Sequence, residues 1–347
     1  MRGGLVSDTY EFYEVDPGTW ADMRLLEGMD EANVVFDSEQ DIKGNAKMRG
    51  EEDLGEAYVR VYLVRDGRKR PLGSWLVQTP ARSHDGRSRT VNMDAYSPLL
   101  ELMDSLPPVG YFFPAGANIV KSVIAAAREN CHAPVLDAVD AGVRLFAEPY
   151  VAELDESWLE FLAGALAKAD MEFGLDEMGD ILIIPVRDIA AMQPVRTFGD
   201  DNASIVMPDM EDSRDLYGIP NIVEVVCSTE AACVVGRAEN DSPSSPMSTV
   251  CRGRDVTVRD TSPDLEDPTQ EEADAYAARR LAELSSVEHE VVFEHDYVEG
   301  LRVGDCVLLR FARADIYARA IVARQEIATE TGCLVRTTAK YTEVLWR

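Results

Sequence analysis

The pattern of apolar and polar positions near the start of the chain is typical of β-strands. Side chains at residues 57–64 alternate between apolar and polar, a charged turn follows, and residues 72–78 return as a second alternating run. The Asp66-Gly67 pair between them is the dipeptide that tight hairpin turns favour. Residues 1–98 are therefore predicted to form a first β domain.

The middle of the chain carries helical periodicity and capping residues instead. Asn118 precedes a run with apolar residues at helical spacing, which predicts a helix over residues 119–130. Ser157 and Glu160 have the spacing of a capping box at the start of another helix. Gly179 can supply the positive φ of a hairpin turn between two short strands. This mixture predicts an α/β domain.

The last part of the chain returns to strand patterns around one longer helix. That helix is predicted over residues 268–286, with Asp267 as its N-cap and Pro268 at the first helical position. Several β-rich runs, separated by glycine-containing turns, follow it to the end of the chain. We expect a second β domain here.

Together, these patterns predict an α+β fold of two tube-like β-barrel domains, residues 1–98 and 206–347, with an α/β domain at residues 99–205 inserted between them. The order strand, charged turn, strand, glycine-containing loop, strand occurs in residues 59–100 and again in residues 307–345. This order predicts an internal duplication. Because side-chain identities do not match and such patterns are common, chance is the alternative.

An acidic stretch between residues 196 and 215 is predicted to be a solvated connector. Its carboxylates are Asp200, Asp201, Asp209, Glu211, Asp212 and Asp215. Clustered carboxylates also occur in calcium sites, but the stretch lacks the D-x-[DN]-x-[DN]-G pattern followed by a glutamate. The connector is the favoured interpretation.

Composition and charge narrow the classes of protein to consider. The chain has 347 residues, of which 46% are hydrophobic and 28% charged, as in a globular protein of two or three domains. It has neither an apolar run of about 20 residues nor an apolar signal sequence, so we expect a soluble protein made in a cytoplasm. The net charge of −29 argues against a protein that grips DNA or an anionic membrane. The negative charge has two interpretations: an ordinary solubilising surface, or a surface that stays near nucleic acid without binding it.

No metal or cofactor site is predicted. The cysteines lack Cys-x-x-Cys spacing and mostly fall in apolar runs, which favours buried free thiols. They are Cys131, Cys227, Cys233, Cys251, Cys306 and Cys333. His289 and His295 are predicted to share one face of a strand, without the spacing of a ligand set. The basic residues from Arg65 to Arg70 are interpreted as an exposed hairpin tip, with an anion site as the alternative.

The sequence also lacks catalytic motifs. It contains no G-x-S-x-G, no H-E-x-x-H, no Walker loop, and no G-x-G-x-x-G after a strand. We therefore predict no catalytic, cofactor-binding or metal-binding residues. The second hypothesis is a peptidoglycan hydrolase that uses acidic residues of the middle segment, such as Asp176 and Glu177. A third, an adhesin, is disfavoured because no repeated, aromatic-lined face is evident.

The order of elements resembles that of phage tail baseplate hub proteins and of the N-terminal structural part of tail-associated lysins. The runs that carry the resemblance are 60–63, 72–77, 91–96, 173–176, 179–181, 219–225, 275–281 and 301–307. The resemblance covers nearly the whole chain, but it is a pattern of elements rather than a diagnostic motif.

This resemblance implies a structural protein of the virion tail tip, assembled in the host cytoplasm, and no enzyme. Three chains with two barrels each would form a pseudo-sixfold ring that continues the tail tube. The implied partners are the tail tube or distal tail protein above, fibre, spike or lysin proteins below, and the tape-measure protein in the lumen. Genome DNA would pass through without specific binding, because the acidic chain repels phosphate. No stable membrane insertion is expected, and cell-wall cutting would belong to another protein.

Overall fold

The fold was analysed in a computed structural model of the chain, which is mostly β, with 47% of residues in strands and 16% in helices. The structure describes residues 8–84, 89–137, 142–186, 189–200, 205–228, 233–263, 265 and 268–346. The predicted α+β fold with two β barrels is wrong, because the large antiparallel sheets are not closed into barrels.

The strands are numbered here in chain order. They are β1 (Thr9–Val15), β2 (Asp22–Leu25), β3 (Met29–Asp37), β4 (Gly44–Gly50), β5 (Ala57–Arg65), β6 (Arg68–His84), β7 (Arg89–Tyr96), β8 (Phe112–Phe113), β9 (Val135–Asp137), β10 (Tyr150–Val151), β11 (Met171–Leu175), β12 (Ile181–Pro185), β13 (Arg196–Gly199), β14 (Val206–Arg214), β15 (Ile222–Ser228), β16 (Cys233–Glu239), β17 (Thr257–Asp260), β18 (Ser286–Asp296), β19 (Cys306–Phe311), β20 (Ile316–Ala328) and β21 (Leu334–Val344).

The helices are fewer and mostly short. They are α1 (Leu100–Met103), α2 (Ile119–Asn130), α3 (Trp158–Ala167), α4 (Thr249–Arg252) and α5 (Gln270–Leu284), with single 3₁₀ turns at Ile189–Ala191 and Ala312–Ala314. Among the described residues, no helix is both long enough and apolar enough to cross a lipid bilayer.

The main sheet explains why the barrel prediction fails. Its hydrogen-bonded order is β14-β18-β21-β20-β3-β4-β7-β6-β5-β1-β2, with β19 and β13 branching from β20. Antiparallel pairing of β3 with β20 joins strands from both predicted barrels into one sheet. Because β14 and β2 lie at opposite ends of this path, the path remains open.

Two three-stranded antiparallel meanders lie within this sheet. The first is β5-β6-β7, whose tight turn contains Asp66 and Gly67, both with positive φ, as the sequence predicts. The second is β19-β20-β21, whose first turn contains Asp315, also with positive φ. The predicted order of strands is confirmed in both segments. The glycine-containing loop of the first segment lies outside the described residues, and the common origin of the two segments stays a prediction.

By internal contacts, the chain forms two units. One comprises residues 1–210 and 292–339, and the other comprises residues 211–291 and 340–347. The three domains at 1–98, 99–205 and 206–347 stay a prediction.

The first unit contains the helical part of the middle segment. Asn118 caps α2 by accepting a hydrogen bond from the Lys121 backbone N–H, and Ser157 and Glu160 form the predicted capping box of α3. Both helices pack into one apolar core, in which Phe161 and Leu162 are fully buried. The local signals in the sequence therefore place both helices correctly.

In the second unit, α5 packs on a three-stranded sheet of β16, β15 and β17. Ala273, Ala277 and Leu281 recur at helical spacing and are fully buried. The N-cap is Thr269, which forms a capping box with Glu272. The predicted cap, Asp267, lies outside the described residues.

The acidic stretch at residues 196–215 contains two strands, so the prediction of a solvated connector is wrong. It contains β13, which pairs with β19, and β14, an edge strand of the main sheet. Pro208 and the carboxylates of β14 suit an edge, because a free edge tolerates proline and charge discourages further strand pairing. The Asp200 carboxylate accepts hydrogen bonds from the backbone N–H groups of Ala312 and Arg313.

A buried histidine on β18 predicts how stability responds to acid. His295 is fully buried, with Nδ1 at 2.7 Å from the Asp296 carbonyl oxygen and Nε2 at 2.9 Å from the Thr337 hydroxyl. Burial of the ring lowers the pKa of His295 below its usual value. Between that lowered pKa and about 6.5, the unfolded chain binds a proton that the native chain does not, so stability decreases as pH falls.

We therefore expect His295→Gln to lose less free energy of unfolding than the wild type, or to gain more, when the pH is lowered from about 7.5 to about 5.5. Urea unfolding of both proteins at each pH measures the difference. His84→Gln is the matched control, since His84 is exposed. Equal pH dependence in wild type and His295→Gln would refute the assignment.

Candidate assembly surface

The turn between β11 and β12 contains the two acidic residues that the hydrolase hypothesis uses. The Asp176 carboxylate accepts hydrogen bonds from the backbone N–H groups of Met178, at 2.8 Å, and Asp180, at 2.9 Å. Burial raises the pKa of Asp176, while these two hydrogen bonds act in the opposite direction. Asp176 thus has a structural role in closing the turn.

The same turn is anchored to β6. Gly73 donates its backbone N–H to the Glu177 carbonyl at 2.8 Å, and the Ser74 hydroxyl donates to the Met178 carbonyl at 2.6 Å. Gly179 has a φ of 78°, and a Cβ there would lie 2.7 Å from Ser74 Cβ. The close approach to β6 and the backbone conformation both require glycine here.

The Glu177 side chain forms an ion pair. Arg302 donates from Nε and Nη2 to the two carboxylate oxygens of Glu177, at 2.8 and 2.5 Å. This pair borders a groove lined mainly by apolar side chains, among them Leu72, Phe173 and Tyr297. Asp176 and Glu177 are thus brought together, but in a turn and an ion pair rather than on two sides of a polar cleft.

Asp180 adds a third carboxylate to this region. Burial raises the pKa of Asp180, and the negative charge of Asp176 raises it further, whereas the Trp20 indole and the Arg60 guanidinium lower it. Carboxyl groups with raised pKa values occur at active sites and also in structural networks. Arg60 is itself buried and bound to Ser74, Asp22 and the Trp20 carbonyl, which favours a structural network.

The two histidines considered as metal ligands are buried on β18 but bind separate partners. His289 Nδ1 lies 3.2 Å from an oxygen of Asp212, and its Nε2 lies 3.0 Å from an oxygen of Glu343. The two carboxylates contact opposite ring nitrogens, so they do not converge on one point. In the part of the chain that the structure describes, no group of three or more His, Cys, Asp or Glu residues is arranged to hold a metal ion.

The other candidate groups also have defined surroundings. All six cysteines are free; Cys227, Cys306 and Cys333 are buried as predicted, whereas Cys233 and Cys251 are exposed. In the basic hairpin, Arg65 pairs with Asp8, Lys69 with Glu11 and Arg70 with Glu299. These carboxylates offset the positive charge on which the anion-site alternative depends.

One broad polar surface is formed by an outer face of the main sheet. Alternate residues of β4 and β7 are buried, including Ala46 and Met93, while the residues between them are exposed. Asn33 on β3, Lys47 on β4 and Asp94 on β7 are consecutive cross-strand partners on the outer side. This polar face extends over several strands, as a surface that contacts water or another subunit requires.

The polar face carries more acidic than basic side chains. Its acidic residues include Glu31, Asp94 and Glu330, and its basic residues are Lys47 and Arg49. Arg49 pairs with Asp30 at 3.3 Å and with Glu31 at 3.3 Å. Because an ion pair cancels both of its charges, the net negative charge of the surface comes from its surplus of carboxylates over basic side chains.

Sequence reasoning did not identify this face because one of its strands, β4, carries a weak signal. Strand β4, with the sequence GNAKMRG, begins and ends with glycine, a residue depleted in strands. The sequence signal for this strand is the alternation of apolar Ala46 and Met48 with charged Lys47 and Arg49.

Comparisons with known structures connect this architecture to tail proteins. The chain is similar to the tail protein of Neisseria meningitidis MC58, with 13% identity, a TM-score of 0.60, and coverage of 97% of this chain and 98% of that one. The 43 kDa tail protein of prophage MuSo2 from Shewanella oneidensis has 11% identity and a TM-score of 0.63, with 96% and 98% coverage.

A Francisella PdpA–VgrG complex contains a further chain of this fold, at 7% identity and a TM-score of 0.55, with 96% of this chain and 57% of that chain covered. No protein-family profile and no curated protein matches the sequence. The fold is thus that of phage tail proteins, and the predicted resemblance is confirmed.

Proposed function

We propose that the chain is a structural protein of a phage tail, a hub that forms a trimeric ring and continues the tail tube. The observation that carries this proposal is the presence of two antiparallel three-stranded meanders in one open sheet. The likeness in fold to two tail proteins over nearly their whole length supports it. In this proposal each chain contributes its two meanders to the ring, in place of the two β barrels that the sequence predicts.

The two meanders per chain explain how a trimer could meet a hexameric tube. Three chains present six meanders around the axis, so each meander stands opposite one tube subunit. Closed rings are a common outcome when identical subunits associate head to tail. The partners in this arrangement are the tail tube or distal tail protein above and fibre, spike or lysin proteins below.

We further assign the polar face of β3, β4 and β7 to the bore of the ring. Its net negative charge repels phosphate, so DNA would pass without being held. The tape-measure protein would occupy the same bore before DNA release. The net charge of −29 on the whole chain also repels DNA.

The ring is tested by light scattering and cryo-electron microscopy of the purified chain, alone and mixed with the tail proteins encoded beside it. We expect a particle of three times 38.4 kDa with pseudo-sixfold density and with Lys47 and Asp94 facing the bore. A monomer under every condition would refute the ring. A ring with these residues on its outer surface would refute the assignment of the bore.

The hydrolase alternative rests on one observation, the raised pKa values of Asp176 and Asp180. A carboxyl group that keeps its proton can act as a general acid. The tail hub proposal predicts no clearing when the chain is tested by zymography against peptidoglycan. Clearing that disappears in Asp176→Asn, while the protein stays folded, would establish the alternative.

A further inference from the structure

A second surface of the first unit has a different character from the polar face. A groove follows the exposed side of α3, between the end of α1 and the residue after β12. Its apolar surface includes Met103, Leu106, Ala163, Ala167 and Val186. Leu106 and Val186 are each 58% exposed, and they line the same groove, so its exposed apolar surface is not confined to one side chain.

The walls of this groove are acidic. They carry Asp41, Asp155, Glu160, Asp170 and Glu172, against one basic residue, Lys43. Within the described part of the chain, Asp41, Asp155 and Asp170 form no ion pair. Hydrogen bonds from Ser157 lower the pKa of Glu160, so that carboxylate stays ionised at neutral pH.

The one basic side chain does little to offset this charge. Lys43 donates to the Ser38 carbonyl at 2.7 Å and lies 4.0 Å from Glu172. The groove is therefore an apolar channel between negatively charged walls. DNA and anionic lipid are disfavoured as occupants, and so is the same face of a second copy, because each would bring negative charge against the walls.

The dimensions of the groove suit one helical segment. Its volume is about 700 Å³. A helix with its side chains is about 10 Å across, so the groove takes the apolar half of roughly three turns, with the other half left outside. Amphipathic helices commonly bind such grooves through apolar residues spaced three and four apart.

We propose that this groove docks a basic amphipathic helix from another protein, with apolar side chains on the channel and Lys or Arg side chains against the acidic walls. The inference names a class of partner for the proposed tail protein. It rests on the proposed function only in placing that partner in a phage tail.

The test uses a synthetic peptide of about 14 residues, with leucines at three- and four-residue spacing and lysines elsewhere. A second peptide has the same composition in an order that gives no apolar face. Fluorescence anisotropy should show the amphipathic peptide binding at least about tenfold more tightly than the reordered one, and more weakly as salt rises. Equal binding of both peptides would mean attraction by net charge alone and would overturn the proposal.

Two matched variants locate the binding. Ala163→Arg places a cation and a long side chain in the groove, whereas Ala125→Arg makes the same change on the exposed side of α2. We expect Ala163→Arg to weaken binding at least about tenfold and Ala125→Arg to change it less than about twofold, with circular dichroism confirming that both are folded. Equal affinities of the two variants would also overturn the proposal.

Different results would refute the docking groove and the tail hub. Neither variant alters the meanders, so both should still form the ring. A ring that does not bind the amphipathic peptide refutes only the docking groove, whereas specific peptide binding by a protein that never forms a ring refutes only the hub.

Discussion

Replacing Phe161 by alanine is expected to lower the free energy of unfolding by about 3–5 kcal/mol. The ring is fully buried in the core around α2 and α3. It contacts the rings of Phe113 at 5.1 Å and Tyr150 at 5.0 Å between centroids, and also lies beside Tyr111 and Trp158. Removing it leaves a cavity that rigid aromatic neighbours fill poorly.

A loss of this size is a large fraction of the roughly 5–15 kcal/mol that holds a typical domain folded. Urea unfolding followed by tryptophan fluorescence measures it, since Trp158 contacts the substituted ring. Phe112→Ala is the matched control, because Phe112 is 52% exposed and should cost less than about 1 kcal/mol. Similar losses in both variants would contradict this description of the core.

Phe161→Ala should also affect the docking groove, although Phe161 does not line it. The ring holds the buried side of α3, and the exposed side of the same helix forms part of the groove. We expect weaker binding of the amphipathic peptide at urea concentrations where Phe112→Ala still binds it normally.

Gly236→Ala is expected to have the second large effect, a loss of about 1–3 kcal/mol from the unit that contains α5. A Cβ at residue 236 would lie 2.2 Å from the Ala273 carbonyl oxygen and 2.3 Å from its carbonyl carbon. These are backbone atoms of α5, so no side-chain rotation relieves the overlap. The helix must move away from β16, which exposes Ala277 and Leu281.

Urea unfolding of Gly236→Ala and Gly18→Ala separates this overlap from a general effect of replacing glycine. The Cβ added at Gly18 meets only the Asp16 side chain, at 3.3 Å. Ala273→Gly should not rescue Gly236→Ala, because the overlapping carbonyl group remains. Rescue by that second change would show that the Ala273 methyl group, rather than the backbone, sets the spacing.

The sequence by itself determined the local elements of this protein. The caps at Asn118 and Ser157 and the turns at Asp66-Gly67 and Gly179 are formed by residues a few positions apart, so their chemistry is visible in any short window. The apolar stripe of α5 is equally visible in the sequence, but the helix is capped by Thr269 and spans Gln270–Leu284, whereas the prediction begins it at residue 268 and ends it at residue 286.

The arrangement of strands was decided by the tertiary structure. The pairing of β3 with β20 joins residues almost 300 positions apart, and hydrogen bonds between backbone groups leave no mark on the periodicity of either strand. For the same reason, the acidic stretch predicted as a connector proved to contain β14, whose charges and proline reflect its place at an edge.

Both proposed surfaces also depend on the tertiary structure. A polar residue in a strand faces outward, but only the pairing of β3, β4 and β7 brings Asn33, Lys47 and Asp94 into one row. Leu106 and Val186 are residues of types that are more often buried than exposed. Both are nevertheless exposed in the groove beside α3. Burial depends on what packs against a side chain as well as on its polarity, so the sequence alone does not locate this groove.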